Sequence, residues 1–210
     1  MAKKTYEEWL GAFRRRKTHN TPQQRLADFV LGVFSEKRDQ EIILLEDVPE
    51  KFKTVELCLV AVDTVGYELK FVPEEHKTAE VCLTAIRIHG QALQYVPDER
   101  RTAELCLTAV MQDGFALAYV PEKHRSGLLY LAAVVRNGLA LHLVPEEHRT
   151  AELCLTAVMT NYEALEYVPE NFKTVELCFT AVQQKSRMLE YVPEELKEQV
   201  KKAAEVNDIR

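Results

Sequence analysis

The stretch RTAELCLTAVM occupies residues 101–111 and returns letter for letter at 149–159, forty-eight positions later. Working outward from it, Pro49, Pro73, Pro97, Pro121, Pro145, Pro169 and Pro193 fall at intervals of 24, without insertion or deletion. Each is preceded by valine, at Val48, Val72, Val96, Val120, Val144, Val168 and Val192. Six full units therefore run from 49 to 192, each close to VPEExxTxELCLTAVxxxGxxLxY. A fixed period of this size is the signature of a repeat architecture, in which one unit cannot bury its own apolar face and stacked units can.

Local chemistry makes each unit helical. Thr54, Thr78, Thr102, Thr150 and Thr174 are placed to cap a helix start, and Glu56, Glu80, Glu104, Glu152 and Glu176 then fall in the first turn, where a carboxylate suits the helix dipole. Twelve residues after the cap come Gly66, Gly90, Gly114 and Gly138, with Tyr162 and Ser186 in the last two units. That position predicts a left-handed helix end. A shorter segment such as ALQYV follows, with Leu93 and Val96 three apart on one face, and the proline restricts its continuation. Within the longer helix Leu105, Cys106, Leu107, Ala109 and Val110 form an apolar set too wide for one stripe, so neighbouring repeats must cover it on more than one side. The expected fold is all-α: a superhelical solenoid of six tandem two-helix repeats with helical caps at both ends.

Composition narrows the function. The chain has 210 residues, 47% hydrophobic and 29% charged, with net charge −6, which disfavours a general binder of polyanionic nucleic acid. No run of eighteen apolar residues and no signal-like start occurs, so a cytoplasmic location is expected. Cys58, Cys82, Cys106, Cys154 and Cys178 share one slot of the repeat, which puts neighbours on adjacent helices roughly 8–10 Å apart. That is beyond the reach of a disulfide, at about 7 Å between Cα atoms, and of a common zinc ion. Packing is the reading, and Tyr130 filling the slot in the fourth unit agrees with it. His76, His124 and His148 also share a slot, but Phe52, Arg100 and Phe172 fill it elsewhere, so a planar side chain packed at the turn is expected there rather than a metal ligand. Neither a phosphate-cradling glycine loop nor HExxH nor a nucleophile elbow is present. The expectation is a non-enzyme with no catalytic residues, no metal site and no cofactor.

The segment ALQYVPDERRTAELCLTAVMQDG, residues 92–114, resembles a tandem helical repeat of unknown function found in bacterial, protist and viral proteins, whose pattern centres on L-x-Y-V-P-E-E and E-x-C-L-x-A-V. The resemblance covers about 49–196 and implies the solenoid fold; it brings no activity with it. The fourth unit departs from the pattern, with Ser126, Gly127, Leu128 and Tyr130 in place of Thr, Ala, Glu and Cys.

Variable slots point to a surface. Asp63, Arg87, Met111, Val135, Met159 and Gln183 share one of them; Tyr67, Gln91, Phe115, Leu139, Glu163 and Arg187 share another. Apolar choices concentrate in units three to five. Met111, Phe115, Leu128, Val135, Leu139 and Met159 are therefore the candidate partner-binding residues, on the expectation that they face outward as one patch.

The ends differ from the repeat. Residues 1–20 hold six basic residues against two acidic ones, +4, leaving −10 on the remainder of the chain. Tyr6, Trp9, Leu10 and Phe13 follow helical spacing, so this basic amphipathic segment is expected to fold onto the first repeat or meet a partner. Residues 21–48 read as a capping helix opening at Thr21 and Pro22, followed by a degenerate repeat; residues 193–210 read as the closing cap. The function expected is a non-catalytic protein-binding module, acting as an adaptor or as an inhibitor of immunity type, with another protein as partner and no small-molecule substrate. The alternative is a factor that associates with nucleic acid or an anionic membrane through Arg14, Arg15, Arg16 and Lys17 of the basic segment.

Overall fold

The structure is a computed structural model and describes residues 5–11 and 44–207. Among these residues every regular element is helical. Each repeat contributes one ten-residue α-helix: α1 Val55–Thr64, α2 Ala79–Ile88, α3 Ala103–Gln112, α4 Gly127–Arg136, α5 Ala151–Thr160 and α6 Val175–Gln184. The five expected threonine caps are present, and Ser126 makes a sixth: Thr54, Thr78, Thr102, Ser126, Thr150 and Thr174 each accept the N–H of the residue three positions on. Serine does the work of threonine in the fourth unit.

The second helix of each repeat is a six-residue 3-10 helix: Gly66–Phe71, Gly90–Tyr95, Gly114–Tyr119, Gly138–Leu143, Tyr162–Tyr167 and Ser186–Tyr191. Its period of three explains the spacing of Gly90, Leu93 and Val96, all buried. A single 3-10 turn after each proline from Pro49 to Pro169 then leads into the next α-helix. The chain is an all-α solenoid of tandem 24-residue repeats.

The glycines act differently from the expectation. The residue between the two helices is extended in every repeat, for example Val65 at φ −141° and Asn137 at φ −153°, so no left-handed turn ends the α-helix. A Cβ on Gly66 would lie 2.3 Å from the Ala85 carbonyl oxygen, and one on Gly138 2.3 Å from that of Ala157. Glycine is selected because the next repeat's helix passes too close for a side chain.

The chain forms two compact units, Met1–Arg101 and Thr102–Arg210. In the first, α1 and α2 pack together over Leu57, Cys58, Val62, Val81, Cys82 and Ile86, while Leu69 and Leu93 from the 3-10 helices close the core. Residues 6–11 are helical and bury Trp9 and Leu10. Tyr6 ties them to the first repeat: its hydroxyl donates to Glu56 and accepts from Thr54 Oγ1. Folding onto the first repeat was one of the two expectations for this segment. The end of the degenerate repeat is visible as the turn Leu45–Asp47, where buried Glu68 accepts the Leu45 N–H at 2.7 Å. Arg14, Arg15, Arg16, Lys17 and the capping helix opening at Thr21 lie outside the described residues.

In the second unit α3, α4, α5 and α6 pack in sequence and α7, Glu194–Asn207, packs on α6, burying Val200. The 3-10 helices form their own row, each against its neighbour.

Candidate interaction surface

Helix geometry decides which side chains of the second unit are left uncovered. In α3, α4 and α5 the core takes Leu105, Cys106, Ala109 and Val110 and their equivalents, so the slots between them face away. Met111, Val135 and Met159, each one residue before its helix ends, are 62%, 58% and 65% exposed, and Leu128 in the first turn of α4 is 71% exposed. Arg136 donates from Nε to the Gln112 carbonyl at 3.0 Å, so the last turns of α3 and α4 touch, with Met111 and Val135 one residue upstream. The neighbouring slots are therefore side by side, as are those of α4 and α5, which pack in the same order.

Two further members of the surface went unnoticed in the sequence. Leu131 and Leu155 share the slot of Leu107, which was read as core, yet they are exposed, while Leu107 itself is half-buried. With them, Leu128, Leu131 and Val135 make an i, i+3, i+7 stripe along α4, and Leu155 lies one turn before Met159 on α5. The same spacing in ELCLTAVM carried the signal, obscured because every repeat has a large apolar residue there.

The structure does not bring all six candidates together. Phe115 and Leu139 sit on the 3-10 helices, half-buried. The Phe115 ring lies 5.9 Å from that of His142, and His142 lies 5.5 Å from Tyr167, forming an aromatic run along the 3-10 row. Leu139 forms part of the wall of a cavity of about 260 Å³ between Gly138–Leu143, Tyr162–Tyr167 and Ser186–Tyr191. The expected single patch is thus two features: an apolar face on the α-helices, and an aromatic, partly acidic row on the 3-10 helices. The physical reason is the extended residue between the two helices, which turns the chain after Met111 and Val135.

The cysteines are buried to zero exposure in every repeat that has one. Burial pushes the thiols of Cys58, Cys154 and Cys178 up to about 11 and raises that of Cys82. Such thiols stay protonated and weakly nucleophilic. Tyr130 fills the slot in the fourth unit, buried, its ring 5.3 Å from that of His148, while His76 and His124 are half-buried at their turns. Among the described residues, no three His, Cys, Asp or Glu side chains come together as metal ligands would.

A basic slot also escaped the sequence reading. Lys53, Lys77 and Lys173 are more than nine-tenths buried, and each meets a carboxylate three residues earlier, at Glu50, Glu74 and Glu170. Arg101, Arg125 and Arg149 take the same position and donate from Nε to the carbonyls of Val96, Val120 and Val144, at the end of the 3-10 helix. A cation there suits the negative helix terminus, so this slot holds the repeat together rather than a ligand.

A row of α-helices backed by a row of 3-10 helices, repeated every 24 residues with an uncovered apolar face, defines an α-solenoid repeat protein. The chain belongs to the family described as domain of unknown function DUF4116, whose pattern matches residues 54–101, 128–173 and 151–197, together more than half its length. The last two matches overlap with a shift of about one repeat, as expected when the family pattern spans two units. No curated protein and no solved structure matches the chain.

Proposed function

We propose that this protein is a non-catalytic binding module, an adaptor or an inhibitor of immunity type, that docks another protein on repeats three to five. The observation that carries the proposal is the exposure of Met111, Leu128, Val135 and Met159 on three consecutive helices. Nothing in the repeat demands apolar side chains there, because Asp63, Arg87 and Gln183 fill the first of these slots elsewhere and five other units place glutamate at that of Leu128. Clustered apolar surface of this kind marks contacts with other proteins, whose affinity resides in a few desolvated anchors. The exposed carboxylates of Glu104 and Glu152 occupy the Leu128 slot on the flanking helices, so the fitting partner has an apolar centre with a basic rim. The buried, protonated thiols suit a reducing compartment such as the cytoplasm. Among the described residues no helix is long and apolar enough to cross a membrane.

Affinity capture from the native host, comparing wild type with Met111→Glu, Leu128→Glu and Met159→Glu, tests the reading. Each substitution is expected to weaken capture of the partner by about 1–3 kcal/mol, roughly 5- to 150-fold, while the melting temperature barely moves. Large melting shifts with unchanged affinity of the folded fraction would assign these residues to the core and end the proposal. The second reading rests on the +4 charge of residues 1–20. It predicts capture of nucleic acid or anionic vesicles that survives all three substitutions and disappears with salt.

A further inference from the structure

We propose that the cavity on the 3-10 row of the second unit is a binding site for an organic cation, the guanidinium or alkylammonium head of an arginine- or lysine-like group. It lies between Gly138–Leu143, Tyr162–Tyr167 and Ser186–Tyr191, and its volume of about 260 Å³ suits one side-chain head rather than a drug-sized molecule. This site is separate from the α-helical apolar face and does not depend on it.

Charge selects the ligand's sign. Glu163, Glu166 and Glu190 line the cavity against one cation, Arg187, which pairs with Glu163 through Nη2 and Oε1. Among the described residues neither Glu166 nor Glu190 has a cationic partner within ion-pair distance. The negative potential reaches the cavity's aromatic wall, where Glu166 first, then burial and Glu190, push the Tyr191 phenol above its ordinary range. An anion would be repelled; a cation would relieve the excess charge.

Shape and apolar lining fit the rest of such a group. Tyr167 and Tyr191 line the cavity with aromatic rings, a surface that attracts cations, and Leu139 with buried Met188 adds apolar wall for an alkyl stem. The Arg187–Glu163 pair already places a guanidinium against a wall carboxylate. The carboxylates are not a structural requirement of the repeat: the slot of Glu166 and Glu190 holds Lys70, Gln94, Ala118 and His142 elsewhere. The tyrosines, by contrast, recur at Tyr95 and Tyr119 and belong to the repeat. What distinguishes this end of the row is the acid added to it.

The test uses the full chain in an amide NMR titration with two probes: N-acetylarginine amide, and a nonapeptide of glycine and serine with one central arginine. Shifts are expected at Tyr167, Met188 and Tyr191. Glu166→Gln combined with Glu190→Gln should weaken binding by about tenfold, in keeping with two exposed charges. Arg187→Ala should strengthen it by releasing Glu163. The control pair Glu146→Gln and Glu147→Gln, exposed in the same unit, should change it less than about twofold. Tighter binding of the peptide identifies a polypeptide source and tighter binding of the amide a small-molecule one, and either upholds the site. Absence of binding by both probes, shifts away from the cavity, or an equal loss in the control pair would overturn it.

Discussion

Replacing Gly138 with alanine would drive a methyl carbon to 2.3 Å from the Ala157 carbonyl oxygen, a contact no rotamer change can relieve because Cβ is fixed by its own backbone and the oxygen is backbone. Gly138→Ala is therefore expected to cost about 1–3 kcal/mol, read from urea midpoints. Gly127 is the internal control. A Cβ there meets nothing within 4 Å, and the residue opens α4 in helical conformation, so Gly127→Ala should stabilise by about 0.5–1 kcal/mol. Equal and opposite logic from two glycines eleven residues apart separates close approach from conformational freedom. The buried thiols make a second prediction. A group whose proton is held more tightly in the folded state stabilises fully below its unfolded pKa, and that contribution disappears as pH rises through the folded value. For Cys154 and Cys178 the window runs from about 9 to about 11. Melting temperature should fall across that window, and Cys154→Val with Cys178→Val should lessen the fall. An unchanged alkaline profile in the double variant would remove the thiols from the account.

At the scale of the element, each repeat joins an α-helix to a 3-10 helix through one extended residue, and the polar residues at that joint show how it is held. Asp113, Asn137 and Asn161 accept the N–H two residues on, capping the 3-10 helix. In the first unit His89 Nδ1 instead accepts the Gly66 N–H of the preceding repeat, at 3.1 Å, with its ring stacked on Tyr67. Asn137→Ala is expected to cost about 1 kcal/mol, and aspartate at the same position should retain most of that stability, as an N-cap acceptor does. Loss of stability in both variants would point to packing of the asparagine side chain instead. The α-helical starts were legible because Thr and Glu at fixed spacing have local causes. The 3-10 character was visible only as the three-residue spacing of Leu93 and Val96, which a short α-turn shares.

For the molecule as a whole, the ends decide how a repeat array stops. Trp9 and Leu10 are buried beside Tyr6, which bonds to the first repeat, and Glu68 replaces the alanine of four other units to take the Leu45 N–H. Trp9→Ala should therefore destabilise by about 3–5 kcal/mol, a magnitude typical of a buried tryptophan and visible as a lower denaturation midpoint. A shift under about 0.5 kcal/mol, the level of a surface substitution, would show that the amino-terminal helix is not part of the core. By itself the sequence determined the period, the unit boundaries, the capped α-helices and the burial of the cysteine slot, because each follows from spacing along one chain or from local chemistry. The tertiary structure decided the rest. It showed that the glycines serve close approach, that Leu131 and Leu155 stand uncovered, and that Phe115 and Leu139 belong to a different row from Met111 and Val135. Those outcomes depend on where the next repeat's backbone passes, a distance set by packing between units that no single unit encodes.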